Sequence, residues 1–265
     1  MDEGALAGGN VGTVVRVGDT VRRATGPWTP AVHELLRHLE QVGFEYSPRV
    51  LGIDERGREI LTYIEGETAI SHPWPEWAWA DATLAEVAEI VRSFHDAVDD
   101  FRPTGARTWR FGTGPLGPAE LASGEIVCHN DIAPYNIVVR DGRVVGIIDW
   151  DLAAPAIPAW DVAFTAWTFA PIHGPTLVRD LGAPVDVGRR LRLLCDAYDV
   201  EDRAGFLDLV RRRMDASIDG IETWAAQGEP GFVRMIANGH VVRMRTDQAI
   251  LVAHRDEWSA ALERP

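Results

Sequence analysis

The stretch NIVVRDGRVVGIID, residues 136–149, constrains this chain more than any other. Two runs rich in β-branched residues flank Asp141-Gly142, a pair that tolerates both left-handed positions of a tight turn. Residues 136–140 and 143–149 are therefore expected to form an antiparallel hairpin. A hairpin returns its end to its beginning, so Asp149 lands beside Asn136. The preceding run His129-Asn130-Asp131 is delivered to the same end. Three oxygen-bearing side chains, those of Asp131, Asn136 and Asp149, then converge.

Phosphoryl transfer asks for this set of groups. An amide oxygen and a carboxylate hold Mg²⁺ against the phosphates, while a second carboxylate accepts the proton of the attacking hydroxyl. On this reading Asn136 and Asp149 are metal ligands and Asp131 is the base. Each residue alone is ordinary turn or capping chemistry. The weight lies in the whole pattern, an H-x-D run followed by an asparagine and then by an aspartate closing an apolar strand.

The flanking sequence suggests how this hairpin is housed. Apolar alternation predicts strands at 13–17 and 20–24 around Gly18-Asp19, and at 49–53 and 59–63 around the turn-prone DERG. Between them Val32, Leu35, Leu36 and Leu39 have helical spacing closed by Gly43. Beyond Gly66 the chain turns irregular and then helical. Thr83 with Glu86 predicts a capping-box start to a helix running to about Val98, with His95 on its apolar face as a hydrogen-bonded core histidine. Residues 160–262 predict three or four helices and no strands.

At 265 residues the chain can bury a core in one large domain or two smaller lobes. Its formal net charge of −14 argues against a nucleic-acid partner, which would need a basic face, and is compatible with a cationic small substrate. Cys128 and Cys195 have no CxxC spacing, so neither a disulfide framework nor a zinc site is expected, and a reducing cytoplasm suits them. The opening MDEGALAGGN lacks a signal-peptide core and no apolar run approaches a membrane span, so no membrane partner is expected.

These motifs resemble those of the aminoglycoside phosphotransferases and their choline-kinase relatives in the protein-kinase-like superfamily. That family has HGDxxxxN in the loop and a metal aspartate at an IDF or IDW strand end. Here the loop is HNDIAPYN, the strand end is IIDWD, and PAWDVA resembles the downstream PxxDLA element. The resemblance implies an α+β, bilobal protein-kinase-like fold, with a nucleotide-binding lobe at 1–65, a hinge at 61–65 and a catalytic and substrate lobe at 66–265. It implies ATP or GTP as donor, Mg²⁺, and a small-molecule hydroxyl as acceptor, with an aminoglycoside-type antibiotic as one candidate.

By the same resemblance Asp131 matches the catalytic base, His129 a loop-bracing residue, Asn136 and Asp149 the magnesium ligands, and Asp161 a structural aspartate. Asp151 is open between a supporting role at the site and plain capping. Gly9, Asn10, Val11 and Gly12 match the phosphate-covering hairpin, and backbone groups of Thr62 and Ile64 the adenine-receiving hinge. The family's phosphate-gripping lysine falls on Arg23 rather than Arg22, because Val21 then faces the adenine. Its glutamate partner falls on Val32, with His33 and Glu34 only adjacent, which leaves open what replaces that glutamate in the ion pair. The gap motivates a competing reading, a catalytically weak pseudokinase acting as a nucleotide-binding immunity or sensor protein. A choline or amino-alcohol kinase differs only in acceptor. The acidic residues Glu201, Asp202, Asp208, Asp215, Asp219 and Glu222 are expected to be a solvated face, Arg211-Arg212-Arg213 a surface run, and Trp150, Trp160 and Trp167 the tryptophans nearest the site.

Overall fold

A computed structural model of the chain describes residues 4–5, 14–104, 107–110, 118–119, 121–182 and 186–263. Strands β1 (Gly4–Ala5), β2 (Val15–Val17), β3 (Thr20–Ala24), β4 (Val50–Ile53) and β5 (Arg58–Thr62) form an antiparallel sheet in the order β1-β2-β3-β5-β4. Helix α1 (Thr29–Gln41) intervenes between β3 and β4. Its Leu35, Leu36 and Leu39 are fully buried, each worth about 1.5–3 kcal/mol relative to exposure. Gly43, at φ +81°, ends the helix as expected.

The remainder is mainly helical. Helix α2 (Asp81–Val98) precedes the short pair β6 (Arg107–Thr108) and β7 (Pro118–Ala119), then β8 (Ile126–Cys128). The hairpin follows as β9 (Ile137–Arg140) and β10 (Arg143–Ile147), then β11 (Ala154–Ala156), which pairs with β8. Helices α3 (Pro158–Phe169), α4 (Pro175–Leu181), α5 (Val187–Tyr198), α6 (Phe206–Ala226), α7 (Pro230–Ala237) and α8 (His240–Leu262) complete the chain. One apolar core joins α1, α2, the hairpin, α3, α5 and α6.

Three local expectations are corrected. The described residues from α3 onward hold six helices, because Pro175, Gly182, Pro230 and Gly239 divide what periodicity alone reads as fewer, longer ones. Helix α2 begins at Asp81 with no side-chain cap; Glu86 instead accepts bonds from Arg143 Nε (2.7 Å) and Val144 N (3.1 Å), tying α2 to the hairpin. Strand β10 stops at Ile147 rather than at Asp149, which takes a left-handed conformation (φ 63°) and opens a 3₁₀ turn over Trp150–Leu152.

Two glycines let the segment after β5 lie against the hairpin. At Gly66 (φ +154°) a Cβ would come within 2.6 Å of the Val139 carbonyl, and at Gly146 within 2.6 Å of Ile64. Glu67 and Val139 exchange backbone bonds of 2.8 and 2.9 Å across this approach. The sheet is thereby docked on the element that carries the site. Among the described residues no helix is long and apolar enough to cross a membrane, and Cys128 and Cys195 are buried free thiols.

Candidate functional site

The hairpin turn has the expected form: Asp141 and Gly142 sit at φ 53° and 73°, and Arg140 pairs with Arg143. At the open end Ile148 N donates to the Asn136 carbonyl (2.9 Å), which brings Asp149 alongside Asn136. Asn136 Nδ2 donates to the Asp131 carbonyl (2.9 Å) and to Asp131 Oδ2 (2.8 Å). This fixes the amide so that its oxygen is the atom left for another partner. Tyr135 donates its hydroxyl to Asp131 Oδ1 at 3.0 Å. Withdrawal from water, with the Asp149 charge nearby, pushes the Asp131 carboxyl up to about 7.

Asp161 at the start of α3 holds the loop from beneath. It is wholly buried and accepts the backbone N–H groups of His129 (2.7 Å) and Asn130 (2.6 Å) together with His95 Nε2 (3.2 Å). Burial works to raise its pKa, but the His95 bond and charge, aided by His129, hold it below the usual carboxylate range. His95 is the hydrogen-bonded core histidine the periodicity suggests, its other nitrogen meeting the Tyr198 hydroxyl at 2.7 Å.

His129 accepts the Asp131 N–H at Nδ1 (3.2 Å) and makes a 3.1 Å bond from Nε2 to the Ile148 carbonyl. Burial lowers its pKa, so the ring is neutral with its proton on Nε2. It therefore braces the loop against the end of β10. Asn130 takes a left-handed conformation (φ 66°), which asparagine tolerates better than most residues. Its side-chain nitrogen reaches the carbonyls of Cys128, Leu152 and Ala154 at 3.1–3.3 Å.

Arg23 meets these groups from the sheet. Its Nη1 lies 2.9 Å from Asp149 Oδ1 and its Nη2 2.6 Å from Asp151 Oδ1, while Nε donates to Glu59. Burial opposes the charge, but Asp151, Asp149 and Glu59 outweigh it and raise the arginine pKa. Arg22 instead bonds Thr20 and lies 4.0 Å from Asp54. Val32, at the position of the family's glutamate, is a buried core residue. The partner is present elsewhere: Glu59 sits directly opposite Arg23 in the β3–β5 register, and its second oxygen takes His33 Nε2 at 2.7 Å. The question left by Val32 is therefore answered by Glu59. Its carboxylate comes from the next strand and is steadied by α1.

Glu59 is 1% exposed, and burial would raise its pKa were it not for His33 and Arg23, which hold it below the ordinary range. Glu59→Gln removes that charge but leaves Arg23 two carboxylates, so the expected loss is about 2 kcal/mol, the scale of a charge-assisted bond. The check is the denaturant midpoint, and an unshifted midpoint would mean the pair carries no stability.

Gly9, Asn10, Val11 and Gly12 lie outside the described residues. The Thr62 N–H is held by the Arg49 carbonyl (3.0 Å) and the Tyr63 N–H by the Asp19 carbonyl (2.9 Å); Ile64 lies against Gly146. Trp150 is core, donating to the Ile147 carbonyl (2.9 Å) and meeting His129 edge-on at 4.6 Å, and Trp167 is equally buried. Arg213 departs from the surface reading: 2% exposed, it lies over Phe164 and Trp160 and donates to the Asn130 carbonyl at 2.6 Å. Asp208 and Glu222 are paired with Arg255 (2.6 Å) and Arg245 (2.8 Å), and Asp215 accepts from Gln248 (2.6 Å).

The model of the phosphotransferase enzyme family matches residues 114–194, which include the loop, the hairpin and α3. The chain is 38% identical over 214 residues to the trifolitoxin immunity protein of Rhizobium leguminosarum bv. trifolii, covering 78% of each. Its fold is similar to that of a choline/ethanolamine kinase family protein from Mesorhizobium loti, with a TM-score of 0.53 and 18% identity over 100% of this chain and 89% of that one. An amicoumacin kinase is similar at a TM-score of 0.61 and 11% identity over 97% and 88% of the two chains.

Proposed function

This chain belongs to the phosphotransferase enzyme family, with the α+β bilobal fold of the protein-kinase-like superfamily, and on that footing we propose that it moves the γ-phosphoryl group of ATP or GTP onto a hydroxyl of a small molecule. The observation that carries the proposal is the meeting of Asp131, Asn136 and Asp149 at the open end of one hairpin, with Arg23 reaching across to Asp149. In this reading residues 1–65 are the nucleotide lobe, 61–65 the hinge and 66–265 the catalytic and acceptor lobe.

The donor set fits a divalent ion of the magnesium type. Asn136 offers an amide oxygen whose nitrogen is already held by Asp131, and Asp149 is a half-exposed carboxylate with one oxygen engaged by Arg23. Mg²⁺ bound there supplies neutralisation of charge on the phosphate oxygens. Asp131, oriented by Tyr135 and Asn136, takes the proton of the acceptor hydroxyl as its oxygen bonds to phosphorus. The bond from phosphorus to the bridging oxygen breaks, and its electron pair leaves with the nucleoside diphosphate. Arg23, held by Glu59, grips the phosphates that stay behind. Asp161, His129 and Arg213 keep the loop in place and touch no reacting atom.

The relative's name, an immunity protein against a toxin, supports an antibiotic or toxin as acceptor. Of the acidic residues on the C-terminal helices, Asp208, Asp215 and Glu222 are engaged with neighbours on α8 and do not speak for an aminoglycoside. That same name favours a second reading, immunity by holding a nucleotide or toxin without transfer. Release of the nucleoside diphosphate with Mg²⁺ over a panel of aminoglycoside, peptide and nucleoside antibiotics, choline and amino alcohols separates the two. Acceptor-stimulated release is expected. Nucleotide binding with no release against any acceptor would replace the first reading by the second.

A further inference from the structure

Arg110 is a cation the proposed reaction has not used. It follows β6, is 7% exposed, and lies on the opposite side of Asp151 from Arg23. Its guanidinium is over the Trp28 ring at 4.2 Å, with Phe232 at 5.4 Å and Trp224 at 6.0 Å. Among the described residues the nearest carboxylate oxygens are those of Asp151 at 3.8 Å and Glu229 at 4.0 Å, both beyond hydrogen-bonding distance. Among the described residues no hydrogen-bond acceptor meets its five N–H groups.

Such an arrangement is costly in a finished interior, where a buried charged donor normally finds an oxygen. The aromatic faces and distant carboxylates favour the positive charge without saturating the directional donors. The fork thus stays competent to take a bidentate oxyanion. The charges acting on Arg110 are those of Asp151, Glu229, Asp149 and Arg23, so it shares the electrostatic neighbourhood of the metal-site carboxylate and the phosphate arginine. Asp151 stands between the two guanidiniums, its Oδ1 on Arg23 and its Oδ2 toward Arg110. Two guanidiniums flanking one carboxylate offer adjacent anchors for consecutive phosphoryl groups.

We propose that Arg110 binds the terminal phosphoryl group of the nucleoside triphosphate, making it a second phosphate arginine supplied from the helical part of the chain. The inference rests on the phosphotransferase reading and adds a residue that reading does not contain. Trp28, Trp224 and Phe232 hold the guanidinium plane, and Asp151 spaces the two arginines.

Calorimetric titration of the full chain with Mg²⁺ and either AMP-PNP or ADP tests the proposal. Arg110→Met keeps the apolar contact with the aromatic rings and removes all five donors. It is expected to weaken AMP-PNP binding about 10- to 100-fold, the loss of one or two charge-assisted bonds, and to leave ADP binding within about twofold. Arg110→Lys, which keeps the charge but not the fork, should fall between. Melting temperatures identify any variant that has not folded, in which case the lysine variant decides. Equal losses for both nucleotides, or no loss for either, would overturn the role of Arg110. If the native chain bound neither nucleotide, the phosphotransferase reading itself would fall.

Discussion

Replacing Asp131 by Asn is expected to lower acceptor phosphorylation by about 10³-fold, within the range general-base contributions span, while nucleotide affinity and thermal midpoint stay near those of the native chain. The substitution keeps the size of the side chain and one acceptor oxygen for the Asn136 bond, leaves the Tyr135 hydroxyl to turn and accept from the new amide, and removes the ability to accept a proton. A base works best with its pKa near the operating pH, and this carboxyl, pushed up to about 7, meets that condition. The measurement is the single-turnover rate with a responsive acceptor, beside calorimetric nucleotide binding. A rate within about tenfold of native would remove Asp131 from the mechanism.

The second large effect concerns stability. Asp161→Ala strands the N–H groups of His129 and Asn130 and the His95 ring in a fully buried place. The expected loss is about 3–5 kcal/mol, the scale for removing one partner of a buried charged network. That is a large part of the 5–15 kcal/mol that typically separates folded from unfolded chains. Asp161→Asn, which keeps one acceptor oxygen, should lose about half as much. Chemical denaturation reads both, and an alanine variant within 1 kcal/mol of native, roughly one ordinary hydrogen bond, would contradict the assignment. The pH dependence has a definite sign. The folded pKa of Asp161 is depressed, so its stabilisation is present above the unfolded value and lost as the pH falls through the folded one. The native chain should therefore show an acid-side loss of stability that the alanine variant lacks.

What was legible in the sequence is what neighbouring residues determine together. Asp141-Gly142 specifies its turn through local φ preferences, and once the turn is known the approach of Asp149 to Asn136 follows from geometry. The apolar faces of α1 and α2 are likewise local. The pairing of Arg23 with Glu59 was hidden because α1 and β4 lie between β3 and β5, and nothing in either strand announces which residues will stand opposite. Arg213 was hidden for a related reason: its neighbours Arg211 and Arg212 are exposed, and only the packing of α6 on α3 turns the third arginine inward under the loop. Arg110 belongs to no motif, and its surroundings come from four separate parts of the chain. Helices α4 and α7 open at Pro175 and Pro230, breaks that apolar spacing alone does not mark.

The Arg23–Glu59 register bears on how chains of this kind should be sorted. A survey that judges competence by a glutamate on the helix would file this protein among the defective ones. The physical requirement is less particular: an acidic oxygen within reach of the strand cation, whichever element brings it. Where the helix does not provide it, the strand opposite can, as Glu59 does here with His33 of the helix steadying it.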